Sequence, residues 1–132
     1  MAMTRKARRF ARRGAAAIEY GLIAPALLLF VIGLIDTGRL FWSYTTLNRA
    51  AAAAARCGAI NTTACGTTVQ IQNFAVSEAW GMTIDASAFT VSTRNCGVSV
   101  VGNYAFTFLT PGFNYVVPLG TVTLNATACY PK

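Results

Sequence analysis

The hydrophobic and polar positions divide the chain into a basic start, a long apolar stretch and a mixed remainder. From Gly14 to Ile35 the only charged residue is Glu19. An α-helix rises ~1.5 Å per residue, so this stretch exceeds the ~20 residues that cross a ~30 Å hydrocarbon core. Its apolar residues surround the helix instead of forming one stripe. The pattern therefore predicts a membrane-spanning helix over about residues 15–35.

The helical pattern continues beyond Asp36. Residues at steps of three and four recur on one face: Leu40, Tyr44, Leu47, Ala51, Ala54 and Gly58. The alanine run at 50–55 is the strongest helix-forming segment of the chain. We predict one long helix over residues 15–56, half of it outside the membrane, that ends at Cys57-Gly58.

A second, shorter helix is predicted after a polar loop. Thr67 is followed three residues later by Gln70, which is a capping-box pattern. We expect this helix to reach about Trp80 and to stop at Gly81. Its apolar stripe would comprise Ile71, Phe74, Ala75, Ala79 and Met82.

The remaining residues alternate between apolar and polar in a way that predicts strands near 89–93, 98–109 and 122–128. We expect the second strand to bend at Gly102-Asn103. The fold class is thus α+β. A long N-terminal transmembrane and assembly helix precedes a small disulfide-bonded domain with one helix and a three- to four-stranded antiparallel sheet.

Charge is concentrated at the start of the chain. The formal net charge is +7, and six of the eleven basic residues lie among residues 1–13. The basicity therefore belongs to a leader, and we expect no nucleic-acid partner. A basic leader also favours a cytoplasmic N-terminus, with the remainder on the other side of the membrane.

Four cysteines follow the apolar stretch, and an even number in a short extracytoplasmic segment is typical of disulfides. Three pairings are possible. A hairpin of the second and third strands would bring Cys96 near Cys129, so we predict that pair and leave Cys57 to bond Cys65. The chain has no histidine, and we predict no metal site, no cofactor, no catalytic residue and no enzymatic activity.

Glu19 is unusual because a carboxylate deep in a bilayer costs on the order of 2.5 to 3.5 kcal/mol. One explanation is that Glu19 is an interfacial acid that balances Arg12 and Arg13. The hydrophobicity of the segment also fits a simple single-span anchor. A removed secretory signal peptide is disfavoured, because Asp36 and Arg39 follow the apolar stretch where a small-residue cleavage site should lie.

The segment Gly14-Ala15-Ala16-Ala17-Ile18-Glu19-Tyr20 resembles the processing motif of prepilins of the tight-adherence (Flp) branch of type IV pili. The resemblance implies cleavage between Gly14 and Ala15 by a prepilin peptidase. It also implies that Glu19 neutralises the new N-terminal amine of a subunit during assembly.

Pro25, six residues after Glu19, resembles the proline of TadE-like pseudopilins, as do the leucine-rich span and the alanine- and arginine-rich segment 50–56. The strand 104–111 is also similar. Tyr20 departs from the phenylalanine more common in that family, and the cysteines are not a general family mark. The resemblance implies three kinds of partner: other pilin subunits, the prepilin peptidase and an inner-membrane assembly platform.

We accordingly predict a cleaved leader at 1–14, a long helix at 15–56 and a head domain at 57–132. The head would face the periplasm before assembly and the outside of the cell in a pilus. The predicted function is that of a minor pilin or pseudopilin. A principal filament subunit with a globular domain and an unprocessed membrane-anchored interaction or adhesion protein remain as alternatives.

Two groups of aromatic residues leave their roles open. The first follows the span and fits an interfacial belt or a contact between filament helices: Phe41, Trp42 and Tyr44. The second fits core packing better than an adhesive patch: Phe113, Tyr115 and Tyr130.

Overall fold

The main element of the structure is a long N-terminal helix. The computed structural model describes residues 5–111 and 120–132, with side chains described from residue 17 onward. The elements in chain order are helix α1 (Arg5–Ile60), helix α2 (Thr68–Glu78), a 3-10 turn (Ala86–Ala88), and strands β1 (Phe89–Arg94), β2 (Gly97–Thr107) and β3 (Thr121–Tyr130). The predicted fold class is confirmed: a long apolar helix precedes a small domain with one helix and a three-stranded antiparallel sheet.

Helix α1 is longer than predicted at both ends, since it begins at Arg5 and ends at Ile60. Gly58 does not terminate it. This glycine is buried, and a Cβ atom there would lie 2.7 Å from Ile71 and 3.1 Å from Val98. Gly58 therefore lets α2 and the sheet approach the helix. The chain turns only after Ile60, where the Oδ1 atom of Asn61 accepts hydrogen bonds from the amides of Thr63 and Ala64.

The predicted capping box at the start of α2 is present. The Thr67 side chain accepts a hydrogen bond from the Gln70 amide, and the Gln70 side chain accepts one from the Thr67 amide. These two bonds satisfy backbone donors that a helix start otherwise leaves free. Gly81, with a φ of 73°, lies just beyond the helix in a conformation that glycine adopts at low cost.

The sheet is a meander in which β2 lies between β1 and β3, both antiparallel to it. No bulge interrupts β2 at Gly102-Asn103, the expected site of a bend, because β2 pairs continuously with β3 across both residues. Gly102 instead provides space. A Cβ atom there would lie 2.9 Å from the Phe89 ring and 3.1 Å from Leu47 on α1. The glycine thus lets the sheet pack closely on the long helix.

The core lies where the second half of α1 meets α2 and one face of the sheet. The alanine run contributes Ala50, Ala51, Ala54 and Ala55 to it, all buried. Larger buried side chains come from α2 and the sheet, together with Leu47 of α1: Ile71, Phe89, Val100 and Phe106. Small residues on the helix therefore allow large ones on the sheet to pack at close range.

Two disulfides close the ends of this small core. Cys57 bonds Cys65 where α1 turns toward α2, and Cys96 bonds Cys129 across the open end of the β2–β3 hairpin. These are the pairs predicted from the strand register. A disulfide typically contributes ~2 to 4 kcal/mol, which matters for a domain with so few large buried side chains.

Candidate assembly site

Residues 17–31 of α1, which we call the free segment, have no cover from the rest of the described protein. Residues 17–31 are all exposed, and the large apolar side chains among them include Tyr20 and Leu22, each 75% exposed. The described residues contain one helix, Ala17–Ile60, that is long and apolar enough to cross a membrane. Its most apolar window has a mean hydropathy of 2.2 and no buried residue. An apolar surface this large must be covered by lipid or by other helices.

All three predicted assembly residues lie on this free segment. Glu19, Tyr20 and Pro25 are all exposed, and Glu19 forms no ion pair with the side chains that the structure describes. Pro25 lies inside the continuous helix. It has no N–H group, so the carbonyl of Gly21 receives no helical hydrogen bond from it.

The predicted cleavage residues Gly14 and Ala15 belong to α1, but they lie outside the residues whose side chains are described. The same holds for Arg12 and Arg13, the two basic residues that Glu19 would balance as an interfacial acid. Whether Glu19 balances these arginines is therefore not tested by the structure.

Three glycines of α1 leave room for a neighbouring helix to approach closely. A Cβ atom added at Gly21, Gly33 or Gly38 would meet no atom within 4 Å. No contact inside the described chain explains these glycines. Small residues on a membrane helix let another helix backbone approach closely.

Asp36 fastens the long helix to the head domain. Its carboxylate is 2% exposed and accepts hydrogen bonds from the Leu109 amide at 2.9 Å, the Thr110 amide at 2.8 Å and the Thr110 hydroxyl at 2.6 Å. These donors lie just past the end of β2. We call this group of Asp36, Leu109 and Thr110 the clamp. It fixes the point at which the free part of α1 becomes the spine of the head.

Arg39 completes the clamp from the solvent side. Its Nη1 atom lies 3.1 Å from Oδ1 of Asp36, one turn earlier on the same helix. Its guanidinium carbon lies 5.2 Å from the centroid of the buried Phe106 ring, within the range of a cation–π contact. The Asp36 charge is thus paired and hydrogen-bonded, as a buried charge must be.

The charge state of the clamp follows from two opposing effects. Burial favours the neutral acid and acts to raise the pKa of Asp36. The hydrogen bonds from the Thr110 hydroxyl and the two backbone amides, with that from Arg39, outweigh burial and lower the pKa of Asp36 below its usual value of 3.8. Asp36 is therefore ionised at neutral pH.

No local sequence pattern indicates the clamp. The one available signal was Asp36 itself, an acid that directly follows the apolar stretch in a chain with four acidic residues. Its partners lie 73 and 74 positions away. The predicted second strand ran to Leu109, but β2 ends at Thr107 because the Leu109 amide bonds Asp36 instead of a strand.

The two aromatic groups differ in environment. The residues after the span are exposed, as either of the two predicted roles requires: Phe41, Trp42 and Tyr44. Tyr130 is half-buried against the core, whereas Phe113 and Tyr115 lie outside the described residues. All four cysteines are in disulfides, and residues 5–111 and 120–132 contain no group of three metal-binding side chains.

An uncovered apolar helix thus continues as the spine of a small α+β head. In a comparison with known protein families, the family described as TadE-like protein matches residues 14–56. That range covers the free segment, Asp36, Arg39 and the alanine run. Residues 14–56 are therefore similar to TadE-like proteins, in agreement with the resemblance seen in the sequence.

The matched range ends near the C-terminal end of α1 and includes neither α2 nor the sheet. Comparisons with curated proteins and with solved structures find no match to this chain.

Proposed function

We propose that the chain is a structural subunit, a minor pilin or pseudopilin of a tight-adherence type IV pilus. The observation that carries this proposal is the exposure of residues 17–31 in the apolar part of α1, which continues without a break into a head held by the clamp and two disulfides. A subunit that is first held by lipid and then by neighbouring helices needs both features.

Transfer from membrane to filament keeps the free segment covered throughout. Lipid tails cover its apolar side chains before assembly, and the helices of other subunits cover them afterwards. The open surfaces at Gly21 and Gly33 fit this exchange, because close backbone approach gains packing that lipid does not provide. The head keeps its own core during the transfer.

Glu19 supplies the charge needed at the start of the mature helix. Cleavage between Gly14 and Ala15 by a prepilin peptidase would place a new ammonium group on Ala15. An ammonium and a carboxylate in a medium of low dielectric are each costly alone and much less so together. Because Glu19 is exposed, it is available to the ammonium group of a neighbouring subunit.

The membrane orientation follows from the charges of the sequence. The basic leader, residues 1–14, would stay in the cytoplasm and the head, residues 57–132, would face the periplasm. There the oxidising environment supports both disulfides. An inner-membrane assembly platform would then move the subunit into an extracellular pilus.

N-terminal sequencing and intact mass of the protein isolated from its native host test the proposal. We expect a mature chain that begins at Ala15. A terminus that retains Arg13 would instead support an unprocessed membrane-anchored interaction or adhesion protein. If the chain is processed, its share of sheared pili separates a minor subunit from a principal filament subunit, which would dominate the preparation.

A further inference from the structure

The head has a groove that is separate from the core and the clamp. It lies between α1 and the end of α2 and encloses about 320 Å³. Six residues line it: Trp42, Thr45, Thr46, Arg49, Glu78 and Trp80. We call it the Trp–Arg groove. It is continuous with the uncovered face of α1, on which Trp42, Thr45 and Arg49 are exposed.

Both tryptophans of the chain line this groove, and neither is part of the core. Trp42 is 60% exposed and Trp80 is 70% exposed. The contact of an exposed tryptophan ring with water is unfavourable. Tryptophan and arginine are also among the residue types most enriched where proteins bind one another. Two tryptophans beside one arginine therefore mark an interaction surface.

The charges of the surface are unbalanced. Arg49 and Arg56 are exposed and lie two turns apart on α1, ~10 Å along the helix axis. Glu78 lines the Trp–Arg groove with Arg49 and a neighbouring cavity with Arg56. Within the described part of the chain, neither arginine forms an ion pair. One acid faces two arginines, so the surface complements a negatively charged partner.

We propose that the Trp–Arg groove binds an acidic helix of a different protein. Carboxylates two turns apart on that helix would reach Arg49 and Arg56, and an apolar side chain between the tryptophans would displace water from them. The bound carboxylates would gain charge-assisted hydrogen bonds, and the tryptophans would lose their contact with solvent.

A second copy of this chain does not provide such a helix. The chain has four acidic residues. Asp36 is buried in the clamp, Glu78 already belongs to the groove, and Glu19 lies in the apolar segment. Asp85 is left as the one exposed acid of the head that does not line the groove. It cannot pair with two arginines at once.

Anionic lipid is also a poor fit. Arg49 and Arg56 lie ~20 Å and ~30 Å along α1 beyond Ile35, where the apolar segment ends. The polar layer of a bilayer adds only ~5 to 8 Å on each side of the hydrocarbon core. The arginines of an upright helix are therefore out of reach of headgroups. A protein partner remains, and this inference does not depend on cleavage after Gly14.

The test uses the full chain in neutral-lipid nanodiscs and two synthetic helical peptides. One peptide carries glutamates seven positions apart with a central leucine, and the other has lysines in place of the glutamates. Both tryptophans line the groove, so their fluorescence reports its occupancy directly. We expect saturable binding and a blue shift with the acidic peptide, weakened by salt, and no shift with the basic peptide.

Charge reversal provides the decisive comparison. The double variant Arg49→Glu with Arg56→Glu should bind the acidic peptide about tenfold more weakly and should gain binding of the basic peptide. Arg94→Glu, at an exposed site on β1, is the matched control and should bind like the unchanged chain. Unchanged thermal unfolding of each variant verifies the fold.

Three results would overturn the proposal. Equal binding of both peptides, or binding insensitive to charge reversal, would exclude recognition of an acidic helix. A blue shift in nanodiscs of anionic lipid without peptide, lost in the double variant, would make lipid the occupant. Self-association of the unchanged chain in sedimentation, lost in the same variant, would make the occupant a second copy.

Discussion

Asp36 and Thr110 lie 74 positions apart in the chain, yet the amide and the hydroxyl of Thr110 both donate to one carboxylate oxygen of Asp36, at 2.8 Å and 2.6 Å. Asp36 is also the first residue after the apolar segment. The same side chain therefore ends the free part of the helix and holds the head on it.

Replacing Asp36 with asparagine should weaken the attachment of the head. The variant removes the charge that accepts the two amides and the hydroxyl, and leaves Arg39 without its partner. We expect a loss of ~2 to 3 kcal/mol in the free energy of unfolding, measured by thermal or chemical denaturation in detergent. Asp85→Asn changes an exposed acid and is the control. Equal stability of the two variants would contradict the role of the clamp.

The stability of the head should depend on pH through the same residue. Folding lowers the pKa of Asp36 below its usual 3.8, so the stabilisation is complete above that value. It is lost as the pH falls through the lower pKa of the folded state. We expect a drop in the unfolding temperature below about pH 4. Asp36→Asn should lack this component, and an identical acid profile in the two proteins would argue against it.

Glu19→Ala should separate processing from assembly. We expect cleavage after Gly14 to survive, because Glu19 lies five residues from the cut and the charge pair forms only after cleavage. Incorporation into filaments should fall severalfold, since the new ammonium group loses its partner. Immunoblots of membranes and sheared pili measure the two steps, with Asp85→Ala as the control. Normal piliation with full incorporation of the variant would refute the role of Glu19.

Gly102→Ala should destabilise the head by ~1 to 3 kcal/mol, because the added methyl would press on Phe89 and Leu47. The matched control is Gly38→Ala, where nothing lies within 4 Å of the added atom. Gly38 is in a helix interior, so alanine there should leave the unfolding temperature unchanged or raised. Thermal unfolding measures the stability of both variants. Equal unfolding temperatures would contradict the role of Gly102 in close packing.

Local signals were sufficient for most of the fold. The capping box at Thr67 and Gln70 was readable because its two partners are three residues apart. The cysteine pairs followed from the strand register, which alternation determines over a few residues. Glycines were harder to interpret. The sequence suggested a helix end at Gly58 and a bend at Gly102. Both glycines are instead sites where another element packs closely.

The sequence by itself determined the membrane-length helix, the α+β order of elements and the TadE-like character of residues 14–56, because these depend on composition and on short-range periodicity. Only the tertiary structure decided that Asp36 is buried against Leu109 and Thr110, and that Trp42 and Trp80 share a groove with Arg49. Such contacts join residues far apart in the chain. No local pattern encodes them, because their energy arises only when the separate elements pack together.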